Sequence, residues 1–168
     1  GGGTDQVRSA VSLSLASYVE NLVLTGSAAV TGTGNDGANR LAGNAGANAL
    51  MGGSGNDTLQ GGGGNDRLEG DRGNDSLRGD AGADSFRFEA GRDRVLDFGD
   101  NVDTLLFDDA LWGGGARTSS HILAEATLSG GNAVFDFGGS PQDDVAGERL
   151  HVGVDGPINK PGMISGDR

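Results

Sequence analysis

From Leu41 to Phe86 an apolar side chain returns at every ninth position: Leu41, Leu50, Leu59, Leu68, Leu77 and Phe86. Each is the centre of a three-residue stretch, too short to be a strand of an ordinary sheet. Stacked on like stretches it becomes one rung of a parallel solenoid. The six residues between rungs must turn the chain, and glycine marks them. It opens each unit at Gly34, Gly43, Gly52, Gly61, Gly70 and Gly79 and recurs at Gly37, Gly46, Gly55, Gly64, Gly73 and Gly82. Upstream, Val11, Leu13 and Leu15 alternate with serines, and Val19 to Leu24 reads as a strand. Val23 lies eighteen residues before Leu41 and is expected to stack beneath it as an earlier rung that covers the open edge of the solenoid. Downstream, Ala124 to Leu128 and Ala133 to Phe137 flank Ser129-Gly130-Gly131-Asn132 as a hairpin, and Arg149 to Val154 adds an alternating strand. Helical patterning is confined to Ser120 to Glu125.

Two places before each repeated apolar residue stands Asn39, Asn48, Asp57, Asp66, Asp75 or Asp84. A glycine-built turn aims its carbonyls and such a carboxylate at one point. All-oxygen donors suit a hard cation, and calcium takes six to eight of them. The chain has no cysteine and two histidines, which argues against zinc or copper. With two units per turn, loops eighteen residues apart share an ion. Asp57 with Asp75 and Asp66 with Asp84 then make the strongest sites, framed by Gly52, Gly55, Gly61, Gly64, Gly70, Gly73, Gly79 and Gly82. Asn39 with Asp57 and Asn48 with Asp66 are expected to be weaker, since an amide offers an oxygen without charge. A worn seventh unit at Gly91, Asp93 and Val95 pairs Asp93 with Asp75, and Asp97, Asp100 and Asp103 are candidates for a last site.

These units, with Ser54-Gly55-Asn56-Asp57-Thr58-Leu59, the closing Gly82-Ala83-Asp84-Ser85-Phe86-Arg87-Phe88 and the following Asp93-Arg94-Val95-Leu96-Asp97-Phe98, resemble the RTX (repeats-in-toxin, haemolysin-type calcium-binding) family of Gram-negative bacteria. The resemblance is strongest from about Gly32 to Phe107 and departs from the pattern at Ala38, Ala47, Asn39 and Asn48. It implies an all-β chain: a right-handed parallel β-roll, a calcium-binding solenoid with several Ca2+ ions, with β-rich N- and C-terminal caps. It also implies export through type I secretion machinery and folding on extracellular calcium. The expected division is an N-terminal β cap over residues 1–31, the roll over 32–96 and a C-terminal β-rich cap over 97–168, the place for a secretion signal, although Met163 to Arg168 lacks the acidic-then-hydrophobic terminal motif seen in secreted proteases of the family.

Charge agrees. The formal net charge is -12, and 14 acidic against 6 basic side chains fall between Gly52 and Asp109. Such an array repels itself until cations arrive, and its sign disfavours nucleic acid and anionic membranes. No stretch is long and apolar enough to span a membrane. The opening Gly1-Gly2-Gly3-Thr4-Asp5 carries no signal peptide and reads as the boundary of a fragment. At 35% hydrophobic residues the core must be narrow, so bound metal is expected to supply much of the stability.

Catalytic motifs are missing from the sequence. His121 and His151 sit in no zinc or triad motif, and no Gly-Lys-Ser/Thr follows the glycines. Pro141, Pro157 and Pro161 follow Ser140, Gly156 and Lys160, so the Asp-Pro bond cut by autoprocessing modules is lacking. Trp112 is read as a plug at the roll's end, with stacking on a sugar ring as the alternative. Two functions follow: a calcium-responsive folding and secretion domain for a covalently attached N-terminal passenger, or an accessory module binding an anionic polysaccharide, as in alginate epimerases or adhesins. A continuous basic row would mark the second. Arg67, Arg78, Arg87 and Arg94 alternate between faces and build no single stripe, so secretion and folding rank first.

Overall fold

The nine-residue period becomes two walls of parallel strands wound from one chain. A computed structural model describes residues 3–88, 90–98, 102–107, 126–129, 132–136 and 151–154. The strands are β1 Gln6–Ser9, β2 Leu13–Ser14, β3 Asn21–Leu24, β4 Thr31–Thr33, β5 Arg40–Ala42, β6 Ala49–Ser54, β7 Thr58–Gly63, β8 Arg67–Gly73, β9 Ser76–Ala81, β10 Ser85–Phe88, β11 Ala90–Val95 and β12 Thr104–Phe107. No helix occurs among the described residues. Odd-numbered strands pair in the order β1-β3-β5-β7-β9-β11, while β2-β4-β6-β8-β10-β12 pair along the other wall. Every one of these pairings is parallel. Each glycine-rich segment therefore carries the chain from one wall to the other, and two units complete a turn.

Register puts the repeated apolar residues in two inward columns. Leu41, Leu59, Leu77 and Val95 stack on one wall, and Leu50, Leu68, Phe86 and Leu105 on the other. All of them are buried, and Leu41 to Phe86 lose all contact with solvent. Full burial of such a side chain stabilises by roughly 1.5–3 kcal/mol, and through the repeats from Leu41 to Leu77 each rung sends one apolar side chain into the core. At the C-terminal end the column thickens: Phe88 and Phe98 are also buried, and the Phe86 and Phe98 rings lie 6.4 Å apart and tilted by 55°.

The N-terminal rungs differ from expectation in register. Leu22, rather than Val23, stacks on Leu41, and Val23 lies beside Ala42 on the outer face. Leu22 precedes Leu41 by nineteen residues, so the connection holds one more residue than the later turns. On the facing wall Gly32 occupies the inward column over Leu50. A side chain there would press on Leu22 and Leu50 Cδ2 at 3.0 and 3.2 Å, so the larger leucines close the space it leaves. Of the alternating Val11, Leu13 and Leu15, Val11 is exposed in the bend between β1 and β2.

The hairpin and the late strand are present as β13 Ala126–Ser129, β14 Asn132–Asp136 and β15 His151–Val154. β13 and β14 are antiparallel, β14 pairs antiparallel with β15, and β15 adds parallel to β11 with Arg92 opposite His151. They thus cover the last edge of the odd-numbered wall, a place where unpaired backbone would otherwise recruit another chain. Trp112, Asp100, His121 and the segment Ser120 to Glu125 lie outside the described residues.

Candidate metal centre

The residue two places before each inward side chain enters its strand from the turn and is held on both sides by the stack. Its carbonyl accepts the N–H of the residue nineteen further on: Asp57 from Ser76 at 2.9 Å, Asp66 from Ser85 at 2.8 Å and Asp75 from Arg94 at 2.8 Å. Its own N–H is taken by a carboxylate of the next turn. Asn39 donates to Oδ1 of Asp57 and Asn48 to Oδ1 of Asp66, both at 2.7 Å. Asp57 donates to Asp75 and Asp66 to Asp84, both at 2.8 Å, and Asp75 to Asp93 at 3.0 Å. Asp84 donates to Asp103 at 2.9 Å, one residue out of phase. One oxygen of each carboxylate is therefore a strut of the fold.

The other oxygen is not. Oδ2 of Asp57, Asp66, Asp75, Asp84 and Asp93 is buried, and no donor among the described residues reaches it. Leaving such an oxygen without a partner costs about 1–3 kcal/mol, more when it is charged. Five in phase mark a site. The glycine that opens each unit makes room for it: a Cβ on Gly52, Gly61, Gly70 or Gly79 would overlap Oδ2 of Asp57, Asp66, Asp75 or Asp84. The same missing Cβ at Gly52 lies 2.7 Å from the Gly70 carbonyl oxygen, and that at Gly61 lies 2.8 Å from the Gly79 carbonyl oxygen. A carboxylate oxygen and a carbonyl oxygen from successive turns thus converge on Gly52 and on Gly61. Among the described residues no three His, Cys, Asp or Glu side chains gather around one point. The donor set is carboxylate plus carbonyl, which suits a hard dication with many oxygen ligands.

Residues 33–68 and 60–95 match the model of the RTX calcium-binding nonapeptide repeat (4 copies). This stretch is an RTX calcium-binding repeat array. Among solved structures the chain is similar to the solution structure of the AlgE6R3 subunit from the Azotobacter vinelandii mannuronan C5-epimerase, at 22% identity over 91% of this chain and 72% of that one, with a TM-score of 0.27. No curated protein matches the chain.

Within the RTX array the buried carboxylates are held above their ordinary range. Burial pushes Asp57 up to about 7 and Asp66 to about 6, opposed by the backbone N–H that each accepts and reinforced by Asp75 and Asp84 respectively. Burial raises Asp84 in the same way. Asp75 and Asp93 form a tightly linked pair, both raised by burial. Ionised together, these groups call for a cation.

Two kinds of turn divide the array, one in its first two units and one in the later units. In the later units the second and fourth positions both have left-handed backbone: Gly53 and Gly55, Gly62 and Gly64, Asp71 and Gly73, Asp80 and Gly82. Asp71 and Asp80 hold this conformation at φ 67° and 64°, where a non-glycine residue is uncommon. In the first two units Asn35, Gly37, Asn44 and Gly46 do not have it. There the expected weak ligands Asn39 and Asn48 have other partners. Oδ1 of Asn39 accepts the Asn35 N–H and Oδ1 of Asn48 the Asn44 N–H, each at 2.7 Å, while their amide groups donate to Val19 at 3.1 Å and Val30 at 3.3 Å.

Asp97 also differs from a ligand. Its two oxygens accept the N–H groups of Gly79 at 3.0 Å and Asp80 at 2.8 Å, with the Arg78 guanidinium nearby, so it acts as a strut. One set of structural residues escaped the sequence reading altogether. Oδ1 of Asn56, Asn65 and Asn74 accepts the N–H of Asn74, Ala83 and Arg92, at 2.8 to 3.0 Å, building a second ladder that runs against the carboxylate one. The signal was the Asn of the Gly-Asn-Asp step, which reads as ordinary turn chemistry.

Proposed function

We propose that Asp57, Asp66, Asp75, Asp84 and Asp93, with carbonyls of the glycine turns, hold calcium ions between successive turns of the roll, and that ion binding completes the fold of a secreted protein. The observation that carries this reading is the set of five buried Oδ2 oxygens without a donor. Asp57 with Asp75, Asp66 with Asp84, and Asp75 with Asp93 would each share an ion, with Gly52, Gly61, Gly70 and Gly79 leaving room for it. Calcium supplies positive charge at points where carboxylates otherwise meet each other. Its loss leaves those charges buried and opposed, so the acidic turns come apart in its absence.

The role follows from that switch. An acidic repeat array that stays open at low calcium can be threaded through type I secretion machinery and closes outside the cell of a Gram-negative bacterium, locking an upstream passenger in place. The first strands and residues 97–168 serve as caps on the two ends. Among the described residues neither outer face offers a continuous basic row for a polysaccharide. Arg67 and Arg87 both bond to the buried Glu69, and Arg78 lies 3.8 Å from Asp80.

A calorimetric titration of the chain with calcium, with circular dichroism in parallel and magnesium as control, tests the metal reading. Saturable binding at about 0.1–1 mM with a gain of β signal is expected, and both should be lost on Asp66→Ala with Asp75→Ala. The same spectrum in chelator and in calcium, with no heat of binding, sinks it. Co-expression with a type I exporter tests the secretion role through the share of chain reaching the medium. Retention of the chain inside the cell overturns that role alone.

A further inference from the structure

The first two repeat units carry no orphaned oxygen, and the reason is a set of asparagine amides that stand where the later turns direct their carboxylates. Asn35 Nδ2 donates to the carbonyls of Ala16 and Val19, both at 2.8 Å, and its Oδ1 accepts the Gly37 N–H at 2.9 Å. Nine residues on, Asn44 repeats the arrangement with Thr25 at 3.2 Å, Ala28 at 3.0 Å and the Gly46 N–H at 2.7 Å. Asn39 and Asn48 then close each turn from the other side, as described above. An amide offers a donor and an acceptor together, so it satisfies a ring of carbonyls that a carboxylate can join only through a cation. The turns are accordingly built without the left-handed pairs of the later units.

We infer that residues 3–51 fold without calcium and serve as a template on which the calcium-dependent turns wind. This rests on the calcium reading of the later units. The template has its own apolar column, with Leu15, Leu22, Leu24, Leu41 and Leu50 buried and Val7, Leu13, Val19 and Val30 packed against them. It ends in two unspent donors, the N–H groups of Asn39 and Asn48, which receive Asp57 and Asp66. The first two acidic carboxylates therefore dock on a preformed surface, and winding proceeds from there towards Asp93. Loop-closure and nucleation costs fall on the calcium-free part.

Residue-resolved amide exchange on the full chain, in chelator and in saturating calcium, tests this. In chelator the amides of Leu22, Arg40 and Ala49, whose partners lie within residues 3–51, should stay protected at least tenfold above those of Leu77, Ser85 and Arg94. Calcium should bring the second group up to the first. Loss of protection throughout in chelator, with recovery throughout in calcium, overturns the template and leaves the metal reading standing. Equal protection in both conditions overturns both, and the absence of binding heat then identifies the metal reading as the failure. A second arm uses Asn39→Asp with Asn48→Asp, which replaces each amide with a near-isosteric carboxylate. Protection of Arg40 and Ala49 in chelator should fall at least tenfold. No change in that variant means that the amides do not hold the template.

Discussion

Asn39 gives its backbone N–H to Oδ1 of Asp57 at 2.7 Å, and across that hydrogen bond the array changes from amide-closed to carboxylate turns. On the Asn39 side every polar atom of the side chain has a protein partner. On the Asp57 side Oδ2 is buried without one, and it borders the space beside Gly52 that the carbonyl of Gly70 also borders. One side of the junction is complete as protein, and the other is completed by positive charge.

Exchanging that one atom should reverse the metal dependence locally. Asp57→Asn keeps the acceptor for the Asn39 N–H and replaces Oδ2 with a donor at the space beside Gly52 that the Gly70 carbonyl also borders. Calcium affinity should fall by about tenfold or more as one ligand charge is lost. In chelator, however, the variant should be more stable than the parent by about 1 kcal/mol, since a hydrogen bond replaces an orphaned charge. Denaturant unfolding in chelator, beside calorimetric titration, reads the two signs. A variant weaker in both conditions would count against the orphaned oxygen as the reason for metal dependence.

The core of the repeats is two facing columns of side chains, so it has little capacity to relax around a cavity. Leu59 stacks between Leu41 and Leu77 and is fully buried. Leu59→Ala should cost about 2–5 kcal/mol in saturating calcium, while Thr58→Ala, one residue away on the outer face, should cost under about 0.5 kcal/mol. Urea unfolding with calcium held constant decides it. Equal losses at both positions would mean that the leucine column is not the core.

The roll, its inward column and its carboxylate spacing were legible because one period governs all three. A leucine every nine residues and an acid two places earlier leave few other ways to stack. The first rung was not legible, since Leu22 and Val23 are adjacent and both apolar, and one extra residue in the connection decides between them. Gly32 gave no apolar signal although it stands in the inward column. Asn39 and Asn48 looked like weak versions of Asp57 and Asp66, because composition does not reveal that their neighbours Asn35 and Asn44 lack the left-handed backbone of Gly53 and Gly62.

Acid should stabilise the metal-free roll. Burial raises Asp57 to about 7 and Asp66 to about 6 in the folded chain, against 3.8 for an ordinary aspartate. Because the folded state holds these protons more tightly than the unfolded one, their contribution is complete below about pH 4. It is lost as pH rises through 6 and 7. In chelator, β signal and melting temperature should be higher at pH 5 than at pH 8. In saturating calcium the order should reverse, since protons compete for the same oxygens. A metal-free chain more stable at pH 8 than at pH 5 would show that these carboxylates are not buried together.

The glycines separate room for an ion from freedom of the backbone. Gly61 and Gly63 belong to the same unit, and neither has the left-handed φ that penalises a side chain. A Cβ on Gly61 overlaps Asp66 Oδ2 and lies 2.8 Å from the Gly79 carbonyl oxygen, whereas on Gly63 it meets nothing closer than Ala45 Cα at 3.5 Å. Gly61→Ala should therefore fill the place where those oxygens converge, costing about 1–3 kcal/mol by overpacking and lowering the calcium stoichiometry. Gly63→Ala should leave both unchanged and gain up to about 1 kcal/mol from the less flexible unfolded chain. Calorimetric stoichiometry, read beside thermal melts in calcium, distinguishes them. Full calcium loading of Gly61→Ala would place the ions away from the Asp66 carboxylate and overturn the assignment at that turn.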